Sequence, residues 1–256
     1  MTMKQIALAI LAASLPVVLA AQQAPATNAM PGTTSVPATP RPPRVAYYID
    51  PTILDATILI PAPPAVDSPA NQADLAEVHR VEEARTPAQA DAAKADDEEE
   101  DIFVYKNVFG PGFNAQALPI TAALNAHIKN EQSVVGNQVK KTFQRPRPYQ
   151  IDPSLHPVCK VETNRDSYPS GHGLTGYLSA FTLAEIAPER KEEILARADE
   201  YAHNRVVCGV HYQSDVEASR RISYVVFGYM MATPRFQKEL EQVREEMRKA
   251  GLITTK

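Results

Sequence analysis

The second half of this chain is a succession of apolar stripes at helical spacing with almost no strand-like alternation, and that pattern limits the fold more than any other feature. Ile120, Leu124, Ile128, Val135 and Val139 recur at near-helical intervals and fall on one helix face. Leu174, Tyr177, Leu178 and Phe181 make the next stripe. Ile194, Leu195, Ala198 and Tyr201 form another behind Pro188, a residue suited to a first helical turn. Ser214 with Glu217 three residues on reads as a capping box, opening a helix that carries Ile222, Val225, Val226 and Tyr229. Thr233-Pro234 opens a last helix through Phe236, Leu240, Val243 and Met247, and Gly251 marks its stop. A half-buried sheet needs a period of two, which is missing, so the expected fold class is all-α, a compact helical bundle.

The first half differs in kind, holding more than half of the 22 prolines before residue 90. Lys4 precedes an apolar run from Ile6 to Ala20, with small residues at Ala20 and Ala21, so residues 1–21 read as an export signal. The run falls short of the about 20 apolar residues that a membrane span needs, and an uncleaved anchor is the alternative. Residues 22–46 are rich in Pro and Ala without any period, as in a disordered leader. Ordered structure is expected from Tyr47, with an extended strap over Pro51 to Pro64, a helix over Asn71 to Arg85, one domain spanning 47–251 and a tail at 252–256. No later segment is both long and free of charge, so no stable membrane span is expected. Localisation is then periplasmic or secreted.

Charge excludes one broad class. The chain has 26 Lys and Arg against 30 Asp and Glu, and removing the six-residue acidic run Asp96 to Asp101 leaves 26 against 24. Nucleic-acid binding driven by bulk positive charge is not expected. The acidic run lacks the glycine and alternating oxygen ligands of a calcium loop, and reads as a solvated face or a helix start. Cys159 and Cys208 are the two cysteines. In an exported chain they suggest a disulfide, with two buried thiols as the alternative, and no zinc spacing accompanies them.

Three short segments carry groups that suit a phosphate. KKTFQRPRP offers Lys140, Lys141, Arg145 and Arg147; YPSGH joins Ser170, Gly171 and His172; NRVVCGVHYQSD holds Arg205, His211 and Asp215. Taken singly, a basic pair beside prolines is a solvated turn, Ser-Gly before a helix is a cap, and a histidine near a helix start is structural. In combination and in this order, Lys-x6-Arg-Pro, Pro-Ser-Gly-His and Arg-x5-His-x3-Asp resemble the three-part signature of the type 2 phosphatidic acid phosphatase superfamily. The exported layout is similar to the bacterial class A non-specific acid phosphatases, over roughly residues 47–250. The superfamily's Ser before the third-part Arg is Asn204 here.

The resemblance implies an exported acid phosphatase with a catalytic domain at 47–251 of the superfamily's bundle type. It implies His211 as the nucleophile that forms a phosphohistidine, Asp215 as the group orienting it, and His172 as proton donor to the leaving alcohol. Lys140, Arg147, Ser170, Gly171 and Arg205 would bind phosphate. Chemistry argues the same way: a phosphoryl transition state spreads charge over three equatorial oxygens and needs fixed cations around them. An ordinary histidine titrates near about 6.5, which suits an acid-side optimum. No metal or other cofactor is called for. Partners are small phosphomonoesters and inorganic phosphate, with homo-oligomerisation open. Lys141 and Arg145 are expected to face solvent or steer anions, and Tyr168 and Tyr212 to pack beneath the catalytic segments or to contact the organic part of the substrate. Two other readings stand beside this one, a vanadate-dependent haloperoxidase and a non-catalytic anion-binding envelope protein.

Overall fold

The computed structural model describes residues 45–50 and 53–254, so the expected export signal and most of the expected leader lie outside the described residues. Among the described residues every regular element is helical. A strap with one 3₁₀ turn (Ala56–Ile58) leads into α1 (Pro69–Ala84) and α2 (Pro87–Glu98). A 3₁₀ turn (Ile102–Tyr105) and the short α3 (Lys106–Phe109) connect to the long α4 (Pro119–Phe143). The single turn α5 (Pro148–Ile151) precedes α6 (Gly171–Ile186), α7 (Lys191–Val207), α8 (Gln213–Met231) and α9 (Pro234–Lys249). None of these helices is long and apolar enough to cross a membrane.

The helix ends follow from their caps. The Ser68 hydroxyl accepts from the Asn71 N–H, and Thr86 forms a reciprocal capping box with Gln89, each followed by a proline in the first turn. Thr233 caps α9 as its sequence predicts. At the far end Gly251 takes φ 70°, and the Leu252 N–H returns to the Met247 carbonyl at 3.0 Å. One capping expectation fails. The residue that caps α8 is Tyr212, whose N–H donates to the Asp215 carboxylate at 2.9 Å. Ser214 instead donates to Asp74, and Glu217 pairs with Arg220 and Arg221 on the surface.

The core forms around α6, which buries Leu174 and Leu178 on one face and Leu183 on the opposite one. Glycine lets its neighbours close in: a Cβ at Gly176 would lie 2.7 Å from the Tyr201 ring of α7, and one at Gly173 2.9 Å from Ser219 of α8. Helix α4 buries Leu124, Ile128, Val135 and Val139 as its stripe predicts, while Ile120 stays exposed. There the free N–H groups of Ile120 and Thr121 are met by Glu246 of α9, both at 2.8 Å. The strap seats Leu54, Ala56 and Ile60 in the core, and the Tyr168 hydroxyl donates to the Pro61 carbonyl at 2.8 Å. That bond joins the strap to the loop that leads into α6.

Candidate active site

Three helix junctions meet at one end of α6. Helix α4 ends when Gln144 adopts φ 44°, a left-handed cap whose N–H returns to Lys140. Prolines 146 and 148 then hold the chain extended, so Arg145 and Arg147, two residues apart, reach the same way. Helix α7 carries Arg205 in its last turn, and Gly209 at φ 74° turns the chain into the segment bearing His211. Helix α6 starts at Gly171 with the Ser170 hydroxyl accepting from the Gly173 N–H at 3.2 Å. The Ser170 N–H donates to the Asp215 carbonyl at 3.3 Å, and the Ser219 hydroxyl donates to the Ser170 carbonyl at 2.9 Å. The starts of α6 and α8 are thereby locked side by side.

His211 is buried within this junction, with its two ring nitrogens facing different groups. Nδ1 lies 3.2 Å from Asp215 Oδ2, and Nε2 lies 3.2 Å from an Arg147 guanidinium nitrogen. A guanidinium only donates, so that contact requires a lone pair on Nε2 and places the proton on Nδ1, toward Asp215. Asp215 is held by Ser167, whose hydroxyl donates at 2.6 Å, by the Tyr212 N–H, and by Arg145 at 2.7 Å. Around the ring stand Arg147, Lys140 and Arg205. Asp166 bridges the first two, 3.0 Å from Arg147 and 3.5 Å from Lys140, while Arg205 pairs with Asp97. The buried Arg205 Nε has no hydrogen-bond partner among the described residues.

His172 stands on the Arg205 side of the site. Its Nε2 lies 3.1 Å from the Asp97 carbonyl oxygen and 4.0 Å from the Asp97 carboxylate. Burial pushes the His172 imidazole down to about 3, and the charge of Arg205 adds to the effect. His211 is held well below its ordinary value, first by burial and then by Arg147, Arg205 and Lys140. Both rings are therefore neutral in the protein as it stands, which corrects the expectation of an ordinary titration for His172. Burial works to raise Asp97 and Asp166, yet their cationic partners hold both carboxyls below the usual range. Burial also pushes Asp215 up, opposed by Arg145, Ser167 and the Tyr212 N–H.

Comparison with known proteins identifies the family. The profile described as the PAP2 superfamily matches residues 121–239, a span that includes all three junctions. A non-specific acid phosphatase of Salmonella typhimurium is 33% identical over 215 residues, covering 79% of this chain and 84% of that protein. The chain belongs to the PAP2 superfamily. Similar proteins named non-specific acid phosphatase occur in Salmonella typhi, 32% identical over 79% of this chain and 84% of its own, and in Providencia stuartii, 29% identical over 81% and 86%. A solved transmembrane PAP2 type phosphatidylglycerolphosphate phosphatase from Bacillus subtilis overlaps with a TM-score of 0.48 at 17% identity, over 69% of this chain and 89% of that one.

Several residues of the candidate site escaped the sequence reading. Arg145, expected at the surface, is buried with its guanidinium 3.9 Å from the centre of the Tyr212 ring, and it bonds Asn71 and Asp74 of α1 as well as Asp215. The acidic run is not simply a solvated face. Asp96 is buried against Arg197 and accepts from Asn204 at 2.7 Å, and Asp97 holds Arg205. Asn204 thus fastens the end of α2 to α7. The disulfide between Cys159 and Cys208 ties the preceding loop to the His211 segment. The other histidines pair elsewhere, His79 with Asp152, His127 with Glu239 and His156 with Glu82, and His203 is exposed beside Arg80.

Proposed function

We propose that this chain is an exported hydrolase of phosphomonoesters, broad in specificity, working through a phosphohistidine on His211. One observation carries the reading: a buried imidazole whose lone-pair nitrogen faces an arginine, whose other nitrogen faces a carboxylate, and which two further cations surround. Nucleophilic attack by Nε2 on phosphorus would break the ester P–O bond. The proton stays on Nδ1, hydrogen-bonded to Asp215, whose carboxylate balances the charge growing on the ring. The Arg147 N–H now on Nε2 turns to a phosphoryl oxygen, while Lys140 and the unpartnered Nε of Arg205 take others. Ser170 can still donate its hydroxyl proton, since its cap bond uses the oxygen as acceptor. The Gly171 N–H opens a 16-residue helix, where an anion is favoured.

The leaving alcohol needs a proton, and His172 is the group placed to give one. A phosphoryl dianion opposes the burial and the Arg205 charge that keep His172 neutral, so anion and proton enter the site together. The second ionisation of a phosphate ester lies near about 6, so under mildly acid conditions the monoanion brings that proton with it. Water then attacks the phosphohistidine, giving its proton to His172 as the P–N bond breaks and phosphate leaves. The apolar start of the sequence supports export, and the name non-specific acid phosphatase carried by the Salmonella relatives supports a broad range. Phosphate release from p-nitrophenyl phosphate tests the reading. His211→Ala is expected to lose at least about 10³-fold in kcat, and near-normal release from that variant overturns the proposal.

A further inference from the structure

The carboxylates seated on the phosphate-binding cations carry an inference about the alcohol half of the substrate, one that rests on the phosphatase reading above. Lys140, Arg147 and Arg205 supply three positive charges, and Asp166 and Asp97 already take up two of them. These five groups keep a single positive charge, and a phosphoryl dianion together with the proton it brings to His172 takes the sum to zero. Glu100 then makes it negative. Its carboxylate lies 3.5 Å from the Thr175 hydroxyl, and it would stand 3.7 Å from a Cβ at Gly171. Neighbouring lysines are already engaged, Lys106 with Glu99 and Lys160 with Glu162. A bound dianionic ester therefore leaves carboxylate charge uncompensated on the His172 side of the site.

Asp97 is the carboxylate in position to use that excess. Its Oδ1 lies 4.0 Å from Nε2 of His172, the ring proposed to protonate the departing alcohol, and its Oδ2 is fixed by the Lys160 N–H at 3.0 Å. Arg205 holds Asp97 with a terminal nitrogen while its Nε has no acceptor, so a phosphoryl oxygen can be bound without releasing the carboxylate. An ester oxygen within about 3 Å of a nitrogen of the His172 ring would put a group two carbons further along the alcohol within reach of Asp97. An ammonium there meets the carboxylate at hydrogen-bond distance, whereas a carboxylate there meets like charge. We propose that Asp97 is a specificity-determining residue that favours phosphate monoesters of amino alcohols, its carboxylate taking the substrate's ammonium group on the leaving-group side.

The test compares 2-aminoethyl phosphate with 2-hydroxyethyl phosphate, which have nearly the same shape and differ in charge at the far end. The ratio of their kcat/KM values is measured for the wild type and for Asp97→Asn, whose amide oxygen can still accept from the Lys160 N–H. The proposal expects the preference for the aminoethyl ester to fall about five- to tenfold in the variant, the upper range for a partly exposed ion pair. Intrinsic leaving-group differences, and any general effect of freeing Arg205, cancel in the comparison of ratios. The same ratio in the wild type is expected to fall between low salt and 1 M salt, because the attraction is screened. That arm decides the matter if the variant does not fold. An unchanged ratio in Asp97→Asn, or one insensitive to salt in the wild type, overturns the amino-alcohol proposal while p-nitrophenyl phosphate hydrolysis leaves the phosphatase reading standing. Failure of the wild type to release phosphate from any of the three esters overturns both.

Discussion

Arg145→Met removes the guanidinium that joins α1 to the residue holding His211, while keeping a side chain of similar reach. In the native protein this group sits 2.7 Å from Asp215 and 2.8 Å from Asp74, also contacts Asn71 and Ser214, and lies over Tyr212. Removing one partner of a buried ion pair leaves the other charge uncompensated and costs about 3–5 kcal/mol. For a domain of this size that corresponds to a loss of roughly 6–20 °C in Tm at neutral pH. The deficit should depend on pH, with a sign that can be worked out. Asp215 is fully buried and already pushed above its ordinary value by burial, against the pull of Arg145. Without Arg145 the folded-state value rises further above the unfolded one near about 3.9. The folded variant then prefers the protonated carboxyl, so the penalty is full at neutral pH and shrinks as pH falls toward about 4. Thermal unfolding followed by circular dichroism at pH 7 and pH 4.5 reads the deficit. In parallel, the acid limb of kcat should move to higher pH, because a protonated Asp215 no longer holds the His211 N–H. A deficit under about 1 kcal/mol, or one equal at both pH values, refutes the argument that Arg145 is the charge partner of Asp215.

Three other outcomes follow from the same contacts. Reduction of Cys159–Cys208 frees a loop of 49 residues and should cost about 4 kcal/mol in the chain-entropy model, read as a lower Tm with dithiothreitol than without. Gly176→Ala drives a Cβ to within 2.7 Å of the Tyr201 ring and should destabilise the fold by about 1–3 kcal/mol in urea unfolding, while Gly228→Ala, which meets nothing, should not. Nuclear magnetic resonance of the His172 ring should show no protonation down to pH 5 in phosphate-free buffer, and protonation near neutral pH once inorganic phosphate is bound. A ring that titrates near 6.5 without phosphate contradicts the assigned burial effect.

The helices were legible because each buries a continuous stripe, and a stripe is a property of one segment. Leu124, Ile128, Val135 and Val139 mark α4 in the sequence and are buried in the structure. The start of α8 was not, since Tyr212 with Asp215 and Ser214 with Glu217 stand at the same separation. Asp215 prevails because its carboxylate serves the helix N–H, His211 and Arg145 together, leaving Ser214 to reach Asp74. The candidate site divides in the same way. Lys140, Arg147, Ser170, Gly171, His172, Arg205, His211 and Asp215 stand in short runs whose spacing marks them. Asp97, Asp166 and Ser167 enter by tertiary contact from positions that no period singles out. Arg145 was visible as a cation, but nothing local tells a cation that contacts solvent from one buried against Asp74 and Asp215.

Ionisation state was the least legible property, because it belongs to the enclosure and not to the residue type. Two histidines in one signature suggest two groups titrating near neutrality, with one starting neutral and the other charged. Enclosure removes that difference: burial and the same cations lower both rings, His172 to about 3 and His211 well below its ordinary value. The proposed reaction still needs opposite states, a lone pair on His211 and a proton on His172. The protein supplies the first by placing Asp215 on Nδ1 and Arg147 on Nε2. Among the described residues a charged His172 has no equally strong partner: its acceptors are the Asp97 carbonyl and, at 4.0 Å, a carboxylate already bound to Arg205. The remaining stabilisation must come from the substrate's own anion. On the proposed mechanism, the arginines that would bind the phosphoryl group also help burial to keep His172 discharged until that group arrives, and proton uptake by His172 would be coupled to substrate binding.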